Sequence, residues 1–332
     1  MRISRMQKKH IPQVIEVFTE AFSDWFLKRR GRSRSRKRKP ECFYPYLDIE
    51  SEGCFVALER TQVIGAIFTH VWGKFGWIGT FGVHPDFQEK GIGKELMLKA
   101  IKYLDKKKNV TTLCLETMPD SSSNIGLYSK LGFKPAFLTI RLNKPITVTS
   151  KKTVAMKEFA EAYDLEVVYF SQEENKEDAF TRMNWLSSNI VNGLDHKSEI
   201  IIGDEYNFGE TILLKREGFI IGYAVCRTFV RHDNDQSEPY LEIKNLVIDK
   251  DIKNPMVLDY LLYICEQYGE EHGKVGVRLS INSSYWLAYQ HLINNYGFYI
   301  RSAILRMVKF SEDIKSYDHS SEWIVICSYL IM

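Results

Sequence analysis

The stretch of this 332-residue chain whose residue types and spacing are best suited to chemistry is Phe81-Gly82-Val83-His84-Pro85-Asp86-Phe87-Gln88-Glu89-Lys90-Gly91-Ile92-Gly93-Lys94-Glu95-Leu96. A β-rich run ends at Val83, Pro85 stops further ladder pairing, and the turn feeds into a helix start. The first N–H groups of a helix have no intrahelical acceptor, and the helix dipole is positive at that end. A pyrophosphate-type anion can be held there by backbone alone. Gly91 and Gly93 remove the side chains that would block its approach. His84 is a second polar candidate, either a base or a structural residue of the turn.

Further along, Asn124-Ile125-Gly126-Leu127-Tyr128-Ser129-Lys130-Leu131-Gly132-Phe133 reads as a short helix stopped by glycine. On the residues alone, the alternatives are a plain N-cap for Asn124 and a packing aromatic for Tyr128.

Together these stretches resemble the GNAT superfamily of acetyl-CoA-dependent N-acetyltransferases. The glycine turn is similar to its Q/R-x-x-G-x-G/A motif, matched by Gln88, Gly91 and Gly93, and the Asn124–Phe133 stretch is similar to its Asn, Tyr, Gly-Phe signature. The resemblance implies transfer of an acetyl group from acetyl-CoA, as co-substrate, to a primary amine by direct attack. It implies that acetyl-CoA is held by Phe81, Gly82 and Val83, by the turn running Gln88, Glu89, Lys90, Gly91, Ile92, Gly93 and Lys94, and by Asn124. Tyr128 would then protonate the departing thiolate. Backbone amides near Val83 would polarise the thioester carbonyl.

Such a reaction needs a base for the amine proton. Many relatives carry a Glu on the strand before the turn, where this chain has Trp77-Ile78-Gly79-Thr80-Phe81. Glu116 is the substitute candidate, on the same strand face as Cys114 and opposite Leu115. A solvent-facing Glu116 is the alternative. The missing strand Glu also leaves open a non-catalytic module that senses acyl-CoA or binds protein or nucleic acid.

The elements that must position these residues follow from periodicity. Ile11, Val14, Ile15, Val17, Phe18 and Phe22 recur at helical spacing, and a second helix is expected within Cys42–Ile49. Gly53–Leu58 and Val63–Val71 form a hairpin, Trp77–Val83 a strand, and Gly93–Lys107 a helix with Leu96, Leu98, Ile101 and Leu104 on its apolar face. Thr111–Thr117 and Phe133–Leu142 complete the first half. A polar junction is expected over Asn143–Lys152. The order then repeats through Phe219–Phe229, Tyr240–Ile248, Met256–His272, Val275–Ile281 and Trp286–Asn295. The second glycine turn is replaced by Asp249-Lys250-Asp251-Ile252-Lys253-Asn254-Pro255-Met256, whose aspartates oppose a pyrophosphate. The expected fold class is therefore α/β (α+β): a GNAT-like mixed, mostly antiparallel twisted sheet flanked by helices, present in two copies. Residues 1–145 are the expected catalytic domain and 152–332 a degenerate copy.

Composition bounds the partners. With 45 Lys and Arg against 42 Asp and Glu, net charge is +3, and no global field drives the chain onto nucleic acid or membrane. The six cysteines (Cys42, Cys54, Cys114, Cys226, Cys265, Cys327) are scattered, so no metal site or disulfide framework is expected. No apolar run has the length of a membrane span, and the expected location is cytoplasmic. The dense positive block from Lys28 to Lys39 is expected to be a mobile loop, either a solvated insertion or a surface for an acidic partner.

Overall fold

A computed structural model describes residues 1–31, 37–107, 109–147, 149–231 and 239–310. Its elements, in chain order, are β1 (Arg2–Arg5), α1 (Ile11–Arg30), α2 (Tyr44–Ile49), β2 (Phe55–Glu59), β3 (Gln62–Trp72), β4 (Phe75–Val83), α3 (Ile92–Leu104), β5 (Thr112–Thr117), α4 (Ser122–Lys130) and β6 (Lys134–Pro145). After α5 (Ser150–Ala162) come β7 (Leu165–Tyr169), α6 (Lys176–Ser188), α7 (Lys197–Glu205), β8 (Gly209–Arg216), β9 (Phe219–Arg227), β10 (Tyr240–Ile248), α8 (Pro255–Glu271), β11 (Gly276–Asn282), α9 (Trp286–Asn294) and β12 (Tyr299–Phe310). The two series match element for element, with α5 as the extra piece between them.

All twelve strands join one sheet in the order β1-β2-β3-β4-β5-β12-β6-β11-β10-β9-β8-β7. Each half has one parallel pair, β4 with β5 and β10 with β11, and antiparallel neighbours elsewhere. At the centre the halves exchange strands. β12 lies between β5 and β6, and β6 lies between β12 and β11. The mixed, mostly antiparallel sheet in two copies is as expected; the exchange has no counterpart in the sequence pattern.

Helices cover both faces. In the first half, the apolar stripe of α1 (Ile11, Val14, Ile15, Val17, Phe18) packs with Phe43, Val56, Ala66 and Phe68 on one side of the sheet. On the other side α3 buries Ile92, Leu96, Met97, Ala100, Ile101 and Leu104 against Ala57, Ile64, Ile67 and Leu115. Leu98 does not belong to that face: it is 41% exposed, and Met97 and Ala100 take the core positions instead. The largest cluster lies under α8, where Leu261, Leu262 and Cys265 pack with the central strands of the second half.

Two expectations about loops need correction. Lys28, Arg29 and Arg30 form the last turn of α1, where their charge complements the helix dipole, and Gly31 caps it with φ 65 and an N–H donated to the Leu27 carbonyl at 3.0 Å. Residues 32–36 of the basic run lie outside the described residues, as does Cys327. The expected junction at Asn143–Lys152 is mostly ordered element: β6 runs to Pro145 and α5 begins at Ser150. The polar letters misled because Asn143 and Lys144 are buried, with Lys144 paired to Glu266 at 2.8 Å.

Candidate active site

Strands β4 and β5 pair only from Phe75–Thr112 to Ile78–Leu115. Beyond that point they part, and a β-bulge opposite Ile67–Thr69 turns the Gly79–Thr80 backbone out of the ladder. The bulge is pinned from behind by His70, whose Nε2 donates to the Gly79 carbonyl at 2.7 Å. Its ring lies between Tyr46 and Trp72, with centroids 4.9 and 5.5 Å away.

The gap opens into a cavity of about 340 Å³. Its walls are the aromatic side of α1 (Phe18, Phe22, Trp25, Phe26), the β4 segment Ile78–Phe81, and β5 with the turn after it (Leu115–Met118). Asn124, Tyr128 and the arginines Arg38, Arg141, Arg231, Arg278 and Arg301 complete it. The structure thus brings Phe81, Glu116, Asn124 and Tyr128 around one space.

Tyr128 is buried on α4, in edge contact with Phe133. Burial pushes its phenol well above the ordinary value, so it stays protonated through the neutral range. No hydrogen bond among the described residues occupies its hydroxyl. Asn124 is the third residue of α4 rather than its cap, which is Ser121, and its side-chain N–H reaches Thr117 Oγ1 at 3.5 Å.

Glu116 is held differently from a free base. Its side chain has no exposure. Oε1 accepts from Arg306 Nη2 at 2.9 Å and Nε at 3.3 Å, and from the Thr139 hydroxyl. Oε2 is buried without a hydrogen-bond partner among the described residues.

The glycine turn follows the C-terminal, parted end of β4. Pro85–Phe87 make a 3-10 turn capped by His84, whose Nδ1 accepts from the Asp86 N–H at 3.3 Å, so His84 serves the loop. Gln88 clamps the turn to the strand, donating from Nε2 to the Val83 carbonyl at 3.0 Å. Glu89 adopts φ 62, and Lys90 folds back on the Asp86 carbonyl at 2.9 Å. Gly91 caps α3 with φ 79, and a Cβ there would meet nothing within 4 Å. Gly93 faces the sheet instead: a Cβ would stand 3.1 Å from Phe81 Cζ. Ile92 buries its side chain, and Lys94, the third residue of α3, is exposed. Gly82 backs onto Phe18, where a Cβ would stand 2.9 Å from its ring, and Val83 is buried.

The equivalent helix start in the second half is closed. Asn254 caps the Met256 N–H at 3.0 Å, Pro255 has no N–H, and Asp249 is paired with Arg182 at 3.0 Å. At the α9 position matching Tyr128 stands the buried Leu292. Among the described residues no cluster of three or more His, Cys, Asp or Glu is placed to hold a metal ion, and no helix is long and apolar enough to cross a membrane.

Sequence reading missed the arginines and the aromatic wall. One signal was present: Thr139, Arg141 and Asn143 alternate with Ile140 and Leu142 on β6, which marks one polar sheet face. The partners on β11 and β12 are too far along the chain for any local pattern.

Residues 15–133 match the profile of the Acetyltransferase (GNAT) family. Among curated proteins, the chain is 32% identical over 93 residues to a mycothiol acetyltransferase of Amycolatopsis mediterranei, covering 25% of this chain and 31% of that protein. It is 43% identical over 61 residues to the [ribosomal protein bS18]-alanine N-acetyltransferase of Escherichia coli, covering 18% and 39%. The chain thus spans less than half the length of these curated relatives. Among solved structures, a putative acetyltransferase from Pyrococcus horikoshii shares the fold over 98% of this chain and 95% of its own, with a TM-score of 0.62 at 18% identity. A tandem GNAT protein from the clavulanic acid biosynthesis pathway does so over 93% and 98%, with a TM-score of 0.57 at 12% identity. Residues 15–133, which carry the glycine-capped helix, the parted strands and Tyr128, are thus the part of the chain that is similar to the GNAT acetyltransferase family.

Proposed function

We propose that this protein transfers an acetyl group from acetyl-CoA to a primary amine bound in the cavity between β4 and β5. The observation that carries the reading is that β4, whose parted edge lines a cavity with Tyr128, leads directly into the open, glycine-capped start of α3. The residues present fit the co-substrate. The first-turn N–H groups of Ile92, Gly93 and Lys94 lack intrahelical acceptors, Gly91 leaves the space before them clear, and the parted β4 edge supplies unpaired backbone groups along the way to Asn124 and Tyr128. Acetyl-CoA supplies the acetyl group as a thioester.

As the amine nitrogen bonds to the acetyl carbon and the carbon–sulfur bond breaks, Tyr128 gives its phenolic proton to the sulfur. The proton lost by nitrogen restores it. Backbone amides of the β4 bulge would polarise the carbonyl. Glu116 would take the ammonium proton at Oε2, its uncommitted oxygen, when the acceptor enters. Its Oε1 is committed to Arg306, so Glu116→Gln separates a base from a brace. A base gives activity recovered as pH rises; a brace gives a lowered melting temperature and an unchanged pH profile. We take residues 1–145 as the catalytic unit and 152–332 as a copy that closes the cavity without binding acetyl-CoA itself, the two exchanging β6 and β12.

The test is calorimetric titration with coenzyme A, followed by free-thiol release from acetyl-CoA across a panel of amines. Binding by the wild type, and turnover lost in Tyr128→Phe with coenzyme A affinity kept, is the expected result. Absence of coenzyme A binding, or full turnover in Tyr128→Phe, overturns the reading.

A further inference from the structure

Among the described residues that line the cavity, arginines outnumber carboxylates. Arg141 on β6, Arg278 on β11, Arg301 on β12 and Arg231 after β9 line it together, and the same four line an adjoining recess of about 90 Å³ with Asn143, Ser280 and Glu242. Among the described residues, two carboxylates line the two spaces. Glu242 is paired with Arg231, and Glu116 is committed through Oε1 to a fifth guanidinium, Arg306. Arg278 packs 5.4 Å from the Tyr240 ring centroid.

Strand pairing assembles this cluster. Arg141 sits opposite Ser302 on one side and Ser280 on the other. Arg301 is the extra residue of a β-bulge between Ile300 and Ser302, which re-aims its side chain. Because β6 belongs to the first half and β11 and β12 to the second, only the strand exchange can bring these four residues to one place. The cost is visible at Arg141: burial, and then the neighbouring charges of Arg301, Arg231 and Arg278, push it down to about 10 against the pull of Glu116. Like charges held close together oppose folding unless something neutralises them. A recess of this size fits one phosphate or a pair of carboxylates, and the planar guanidinium fork matches both in bidentate geometry.

We propose that the acceptor carries, besides its amine, an anionic group of two or more negative charges, a phosphate or paired carboxylates, held by Arg141, Arg231, Arg278 and Arg301. This rests on the acetyl-transfer reading of the same cavity. It makes the second half a contributor to acceptor choice through Arg231, Arg278 and Arg301.

The test uses the full chain with coenzyme A present in excess, so that the α3 terminus is filled before any other anion is added. Inorganic phosphate and glutarate are titrated separately at low salt, by calorimetry and by melting temperature. At least one should bind and raise the melting temperature, and which one does identifies the group. In Arg301→Gln, an exposed position that leaves packing intact, and in Arg141→Gln, affinity for that anion should fall about tenfold or more with coenzyme A affinity unchanged. Arg141→Gln should also melt higher than wild type without ligand, which loss of a merely structural arginine would not produce. Failure of both anions to bind, or equal affinity in the two variants and the wild type, overturns the proposal. Failure of coenzyme A to bind overturns the acetyl-transfer reading instead, and the anion titrations without it still report on the arginines.

Discussion

Acidification should unfold this protein, and with it the cleft, before ordinary carboxylates titrate. His70 and His196 are both buried, and burial pulls each from 6.5 down to about 4. His70 holds the Gly79 carbonyl at 2.7 Å, and His196 Nδ1 meets the Tyr223 hydroxyl at 2.7 Å. Above pH 6.5 both are neutral in either state and contribute no pH dependence. Between 6.5 and about 4 the unfolded chain takes up protons that the folded chain refuses, so stability falls as pH falls. Each histidine contributes a slope of roughly 1.4 kcal/mol per pH unit and a total of about 3 kcal/mol by pH 4. The pair together removes a large share of the roughly 5–15 kcal/mol typical of a folded domain. The assay is urea unfolding and melting temperature from pH 7.5 to 4.5 at fixed ionic strength, for the wild type and for His70→Gln/His196→Gln. The wild type should lose stability steeply below pH 6.5, and the double variant should lose most of that slope. Because Gly79 lines the cavity, coenzyme A affinity should decline over the same range. A flat wild-type profile down to pH 4.5, or an unchanged slope in the double variant, would refute the reasoning.

Other expectations are simpler to check. Gly91→Ala places a residue at φ 79, which costs about 1 kcal/mol of stability, and puts a methyl where the anion approaches; calorimetry should show weakened coenzyme A binding in a folded protein. Burial pulls Lys244 down to about 8, so between pH 8 and 10 the unfolded chain holds a proton the folded one has lost. The melting temperature should therefore rise over that window and turn over above it, where the buried Tyr128 and Tyr223, both shifted upward, act with the opposite sign. A fragment ending at residue 145 lacks β12, leaving the β5 edge unpaired; gel filtration should find it aggregated, and a well-behaved monomer would contradict the role given to the exchange.

What the sequence made legible was local. The Gln88–Gly93 turn, the hairpin of β2 and β3 and the α3 helix are each set by neighbours within about ten residues, and Tyr128, Asn124, Glu116 and Phe81 do converge on one cavity. Polar letters misled where burial had satisfied them, as at Asn143 and Lys144, and the block at Lys28 read as a loop because charge hid the last turn of α1. Arg141, Arg278 and Arg301 escaped notice for a different reason. Each sits in an ordinary strand, and only the pairing of β6 with β11 and β12 gives them a common purpose.

That pairing also governs the order of events during synthesis. When Pro145 leaves the ribosome, β6 has no permanent neighbour: the strand meant to separate it from β5 is β12, and everything from α5 to α9 must be translated first. The nascent chain therefore carries an open seam through the middle of its sheet until Phe310 has emerged. A holding chaperone, or temporary docking of β6 against β5, would have to guard that seam, and pauses in translation between the two halves would prolong its exposure.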